Sequence, residues 1–157
     1  MIKQKSRRYI ETGSWDMLSI KEYKNFYLNL ERKLGELGNI HVSYLSLDKK
    51  IIATHWGILD RKNSILFYLM PSHDNIKWSK YSPGRLLMIE LLKWCEQNKI
   101  KILDMTSGNE LYKIVWSNKN MTIHNFLDSI TFPFSSITPL HLPFFINILS
   151  TPVLTNI

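Results

Sequence analysis

The sequence predicts a single α/β domain built on a mixed sheet with flanking helices. Three observations carry that prediction. Residues 41–70 hold three apolar, β-patterned runs separated by short polar turns; an apolar helical pattern extends from Pro83 to Gln97; and KILDM (101–105) follows it as a short strand. An antiparallel meander that continues through a helix into a further strand requires a crossover, and a crossover mixes parallel with antiparallel pairing.

The elements are read in chain order. Residues 19–36 form a helix, with Ser19 as its cap and Tyr23, Phe26, Tyr27, Leu30 and Leu34 recurring at three- and four-residue steps. Gly35 and Gly38 close it. HVSYLSL (41–47) turns at Asp48-Lys49-Lys50 into IIATHWGIL (51–59), and residues 60–64 turn again into ILFYLM (65–70). Pro71 ends the meander, and residues 72–81 read as a polar loop. In the helix Pro83–Gln97, Leu86, Leu87, Ile89, Leu91, Leu92, Trp94 and Cys95 cover more than one face, which suits a helix pressed on a sheet. NELYKIVWSN (109–118) reads as a short helix and NMTIHNFLD (120–128) as a last strand. The predicted order is α-βββ-α-β-α-β.

Composition sets the outer limits. A chain of 157 residues with 45% hydrophobic and 12% aromatic content buries a core as one domain. Its single cysteine, Cys95, excludes an internal disulfide framework and a Cys-based metal site, and fits a reducing, cytoplasmic setting. The formal charge is +7, of which Lys3, Lys5, Arg7 and Arg8 supply four, leaving +3 for the rest. Residues 1–14 are therefore read as a basic, solvated arm rather than a nucleic-acid surface. No apolar stretch follows them, so they are not a signal peptide. Residues 15–128 form the globular domain. Residues 129–157 form an uncharged tail cut by Pro133, Pro139, Pro143 and Pro152, so no transmembrane segment fits there. The tail is expected to pack on the domain or to form a homodimer contact, with residues 130–134 adding a strand beside 120–128.

YSPGRLL (81–87) concentrates more start signals than a helix needs. Ser82 suits the N-cap and Pro83 the first helical position. Gly84 leaves the backbone bare and Arg85 adds a forked cation. Either the turn holds a phosphate at a helix N-terminus, or it simply caps a core helix.

YSPGRLL followed by ILDMTSGNELYKIVW (102–116) resembles the GNAT acyltransferase superfamily. Within it, the chain resembles the branch containing Fem-type aminoacyltransferases and the acyltransferases of cellulose and exopolysaccharide biosynthesis, of which it covers one lobe. The resemblance implies a GNAT-type sheet whose strands splay to admit an acyl-coenzyme A thioester, with acetyl-CoA as cosubstrate and no metal. Ser82, Pro83, Gly84 and Arg85 would then hold the pyrophosphate, although many members carry a longer glycine-rich loop there and Pro83 offers no N–H. Tyr112 would protonate the departing thiolate, or simply pack. Lys113 would contact phosphate or developing oxyanion charge, its simpler role being a solvated helix surface. Asp104 either caps the next turn or orients the acceptor.

The resemblance further implies an amine acceptor, a small molecule or a cell-envelope group, and, in the Fem-type variant, aminoacyl-tRNA as donor. A non-catalytic single-lobe module is the rival, separated by whether a cleft at Ser82–Arg85 reaches Tyr112 or is filled by Trp78 or Trp116. His55, His73 and Asp74 are the candidate bases. His41, His124 and His141 form no metal-ligand pattern.

Overall fold

The computed structural model describes residues 1–74, 76–108, 110–122 and 151–155. The basic arm is not a solvated terminus. Residues Ile2–Glu11 form α1, which lies over the sheet. Its polar side chains do the anchoring: Gln4 donates to the Ile51 carbonyl and accepts from the Thr54 hydroxyl, both at 3.0 Å, and Arg7 reaches Asp74 at 3.1 Å and the His73 carbonyl. A charge-rich segment can dock this way because Lys5 and Arg7 find a carbonyl or carboxylate of the sheet side rather than an apolar surface.

A 3-10 turn, Met17–Ser19, precedes α2 (Lys21–Glu36). Ser19 does not cap α2. Its hydroxyl bonds the Asp16 carbonyl at 2.8 Å, and Ile20 occupies the cap position with no side-chain bond. Gly38 at φ 68° ends the helix.

β1 (Ile40–Leu47) and β2 (Lys50–Asp60) pair antiparallel through Asp48-Lys49, both at positive φ, the two-residue turn whose twist matches the strands. β2 then pairs antiparallel with β3 (Ile65–Tyr68) and with a two-residue strand, β4 (Ser72–His73). The expected polar loop 72–81 thus contains β4 and a single helical turn, α3 (Ile76–Ser79).

The crossover is present. α4 (Pro83–Gln97) leads to β5 (Ile102–Asp104), which lies parallel to β3. α4 buries one stripe rather than several faces: Leu87, Met88, Leu91 and Cys95 are buried, whereas Leu86 and Ile89 remain partly exposed. The stripe packs on Leu59, Leu66, Tyr68, Ile100, Leu103 and Met105 to make the core. Each fully buried aliphatic side chain there stabilises by roughly 1.5–3 kcal/mol. Cys95 is a core residue, its thiol pushed up to about 12 by burial, and so inert.

α5 (Leu111–Trp116) and β6 (Lys119–Met121) follow. The tail is not separate from the domain: residues Thr151–Thr155 form β7, inserted antiparallel between β5 and β6. The sheet order is β1-β2-β3-β5-β7-β6, with β4 on β2. The expected strand at 130–134, the far end of 120–128 and the tail's proposed dimer contact lie outside the described residues.

Candidate active site

The cleft originates in one additional residue. From Gly57 back to Thr54 is three steps along β2, whereas their partners Tyr68 and Ser72 are four apart. The surplus is a bulge at residues 69–71, held to β2 by the Met70 N–H on the Trp56 carbonyl at 3.0 Å. β5 does not follow it. Pairing between β3 and β5 begins at Ile65–Ile102 and stops at Phe67–Asp104. Beyond that point the ladder ends: Thr106, at φ 59°, reaches the Tyr68 carbonyl through its hydroxyl at 3.4 Å rather than by backbone pairing. The resulting cleft encloses about 580 Å³. Its lining comes from α1 and the residue that caps it (Lys5, Arg8, Tyr9, Thr12), the bulge and β4 (Pro71, Ser72, His73), the start of α4 (Ser82–Arg85) and the α5 region (Glu110, Tyr112, Trp116), with Tyr68 beneath. Trp116 is a wall, not a plug, and Trp78 is not part of the lining.

At the start of α4, Ser82 occupies the cap position in a left-handed conformation and makes no side-chain cap bond. Pro83 bars the residue before it from the right-handed helical region, and the carbonyl of Ser82, not its hydroxyl, receives the Arg85 and Leu86 N–H groups at 2.9 and 3.2 Å. Pro83 itself is fully buried and serves the fold. Gly84 is helical, so its conformation does not demand glycine. A Cβ there would meet only the His73 ring, at 3.9 Å, which leaves the Gly84 backbone bare toward the cleft. The Arg85 guanidinium is exposed and has no ion-pair partner among the described residues.

The stretch ILDMTSGNELYKIVW (102–116), in which Asp104, Gly108, Tyr112 and Lys113 recur at four-residue and adjacent steps, also resolves into geometry. Asp104 caps its turn, its carboxylate accepting from the Thr106 N–H at 2.7 Å; burial raises its pKa, opposed by that bond and by Lys113. Asp104 does not line the cleft. Gly108, at φ 122°, leaves room for Lys113, whose Nζ would lie 2.8 Å from a Cβ there. Lys113 is not a solvated helix surface: it is buried, donates to the Ser107 carbonyl and pairs with Glu110 at 2.9 Å. It clamps the loop ahead of α5 and does not itself face the cleft. Tyr112, next along, does. Burial, reinforced by Glu110, raises its phenol well above the ordinary value, so it is protonated throughout the neutral range.

The candidate bases separate cleanly. His73 lines the cleft, with one ring nitrogen on the Asp74 carbonyl at 2.8 Å. Asp74 is bound by Arg7 and by Lys50 at 2.7 Å and is absent from the lining. His55 is fully buried behind the cleft, stacked on Tyr68 at 4.5 Å; burial, then His41, lowers it to about 3, so it stays neutral. The sequence motifs do not single out Lys5, Arg8, Tyr9, Tyr68 or Glu110. Lys5, Arg8, Tyr9 and Thr12 recur at helical spacing, a signal present in the arm but masked by its charge. Among the described residues no group of three His, Cys, Asp or Glu side chains is placed to hold a metal, and no helix is long and apolar enough to cross a membrane.

Comparison with one solved structure supports the architecture. The PaiA N-acetyltransferase of Thermoplasma acidophilum, solved in complex with coenzyme A, superposes with TM-score 0.59 at 11% identity, over 99% of this chain and 90% of that one. The ribosomal-protein-S18-alanine N-acetyltransferase of Escherichia coli matches at TM-score 0.43 and 14% identity, over 60% of this chain and 62% of its own. No match is found among curated proteins. The family model described as an acetyltransferase (GNAT) domain matches residues 1–114, so the chain belongs to that family of acyltransferases.

Proposed function

We propose that this chain transfers an acyl group, acetyl in the simplest case, from a coenzyme A thioester to an amine. The observation that carries the reading is the open cleft at the splay of β3 and β5, which runs from the bare backbone of Gly84 to the protonated phenol of Tyr112. A side-chain-filled cleft would have favoured a non-catalytic module. The similar fold of a coenzyme A-bound N-acetyltransferase accords with the same ligand here.

The residues fit such a ligand. Gly84 and the N-terminus of α4 suit a pyrophosphate, with Arg85 as the forked counter-charge. Ser82 and Pro83 shape the turn and border the same space. The bound thioester supplies the activated acyl group, and the chain's own side chains handle the protons. His73, on the cleft wall, is placed to take the proton of an acceptor amine. Tyr112 returns a proton to the departing sulfur. Asp104 and Lys113 are positioning residues: one fixes the turn after β5, the other the loop that aims α5.

The finer affiliation with the Fem-like and polysaccharide-associated branch rests on the Ser-Pro-Gly turn and the Asp104–Lys113 pattern. It carries the suggestion of an envelope-related amine; the suggestion of a cytoplasmic setting rests on the single cysteine, and that of dimerisation on the uncharged, apolar tail sequence. Calorimetry with acetyl-CoA and free coenzyme A tests the core claim. Micromolar binding with hydrolysis-independent transfer to an amine is expected. Absence of heat at millimolar ligand overturns the reading.

A further inference from the structure

The cleft contains a cation that the acyl-transfer reading leaves unused. Lys5 projects from α1 into the lining, half-buried, and its Nζ donates to the Pro71 carbonyl at 3.2 Å. That carbonyl belongs to the bulge where the strands part. The ammonium also lies 5.0 Å from the centre of the Tyr9 ring. No carboxylate among the described residues lies within ion-pair distance of it. Burial lowers its pKa; the Glu110 carboxylate opposes this, while the neighbouring Lys113 and Arg8 charges add to it.

The other charges of the cleft are already occupied or assigned. Arg8 is held by Glu11 at 3.0 Å, and Glu110 by Lys113 at 2.9 Å. Arg85 stands at the start of α4, where the pyrophosphate reading uses it. Lys5 is thus the remaining lining cation without a carboxylate at ion-pair distance among the described residues, and it feels the charges of Glu110 and Lys113, the residues that flank Tyr112 in the chain. Removing an ammonium from water without an anion is unfavourable, and one carbonyl plus one ring face only partly compensates. A ligand that brings a single negative charge completes the site. A dianion does not suit it, because Glu110 borders the same space and Lys5 offers one positive charge.

The geometry points to an acceptor that carries a carboxylate near its reactive amine, as amino acids do, with the carboxylate on Lys5 and the amine facing His73 and Tyr112. This rests on the acyl-transfer reading and narrows it to a substrate class. Tyr9, on α1, and Thr12, at its C-cap, border the space left for the acceptor's side chain.

The test uses the full chain, acetyl-CoA and a panel of L-amino acids, each paired with its decarboxylated amine. Release of free thiol is followed, and coenzyme A binding is measured separately. Wild-type protein is expected to favour the carboxylated member of a pair by at least about tenfold in kcat/KM. Lys5→Met removes that preference by weakening only the carboxylated member, chiefly through KM, while Lys5→Arg retains much of it. Coenzyme A affinity and melting temperature are read for both variants. Equal use of the two members by wild type, no turnover of any amino acid by protein that binds coenzyme A, or an equal loss on both members in Lys5→Met each overturns the proposal alone. Failure to bind coenzyme A overturns the acyl-transfer reading and this inference with it.

Discussion

Replacing Gly84 by alanine separates the fold from the site, because the two respond in opposite directions. Gly84 lies in the first turn of α4 with helical backbone, and a Cβ there touches nothing closer than His73 Cδ2 at 3.9 Å, an ordinary van der Waals distance. No clash or strain opposes the methyl group. Alanine in a helix is favoured over glycine by roughly 0.5–1 kcal/mol. For a chain of 157 residues that raises the melting temperature by about 1–4 °C. The same methyl covers the backbone where a phosphate would approach. Loss of one such close contact is expected to weaken coenzyme A by about tenfold, equivalent to about 1.4 kcal/mol. Thermal melts with and without coenzyme A, together with calorimetry, read both effects in one preparation. Gly84→Val should bind more weakly still without the gain in stability. An alanine variant that melts lower than wild type, or binds coenzyme A equally well, would refute the assignment of Gly84 to the ligand.

Tyr112→Phe should lower kcat by about 10²–10⁴-fold while coenzyme A affinity and melting temperature stay near wild type; a variant retaining full kcat removes Tyr112 from the acid role. Lys113→Met fills the same space but leaves the Ser107 carbonyl without its donor and Glu110 without its partner, which should cost about 1–3 kcal/mol and reduce kcat through Tyr112. Wild-type stability and activity in that variant would show that the clamp is idle. His55 supplies a pH dependence. Its folded pKa, about 3, lies below the unfolded value, so its contribution to stability is complete above about 6.5 and declines as pH falls toward 3. Denaturant titrations of wild type and His55→Gln between pH 4 and 8 should differ most in slope below about pH 6.5, by up to about 1.4 kcal/mol per pH unit. Parallel curves across that range would mean that His55 is not held neutral by the fold.

Elements that bury a regular stripe were legible in the sequence. The meander, α4 and β5 appear within a residue or two of their expected ends because alternating or helical apolar spacing dictates which faces meet the core. Two kinds of feature were not legible. One is docking through polar bonds: α1 has no fully buried residue, and what fixes it, Gln4 on Ile51 and Thr54 or Arg7 on Asp74, depends on partners 47–67 positions away in the chain. A composition-based reading sees only charge there. The other is pairing across long separations, such as β7 between β5 and β6, where nothing in residues 151–155 names its neighbours. In the site, Gly84, Arg85 and Tyr112 stood out from local motif and lie on the cleft. Asp104 and Lys113 stood out for the same reason, yet they support the cleft from behind. Motif spacing reports that residues act together without saying which of them faces the ligand.

The bulge at residues 69–71 ties these observations into one physical cause. A strand that kept register would have carried β3 straight on beside β5, and the sheet would have closed. The surplus residue turns the chain toward β2 alone, so β4 leaves β5 and a gap opens between them. Pro71 suits that position because it has no N–H to contribute to a ladder. Its carbonyl, free of a strand partner, receives Lys5, which explains how a helix without buried apolar residues comes to form a wall. Below the bulge, Leu66, Leu103 and Met105 are fully excluded from solvent and carry the stability. Above it lie Lys5, His73, Arg85 and Tyr112, none of which belongs to that core. Substitutions at the last three should therefore register in coenzyme binding or turnover and little in melting temperature, whereas Leu66→Ala, which empties the packed side of the same strand, should cost about 2–5 kcal/mol.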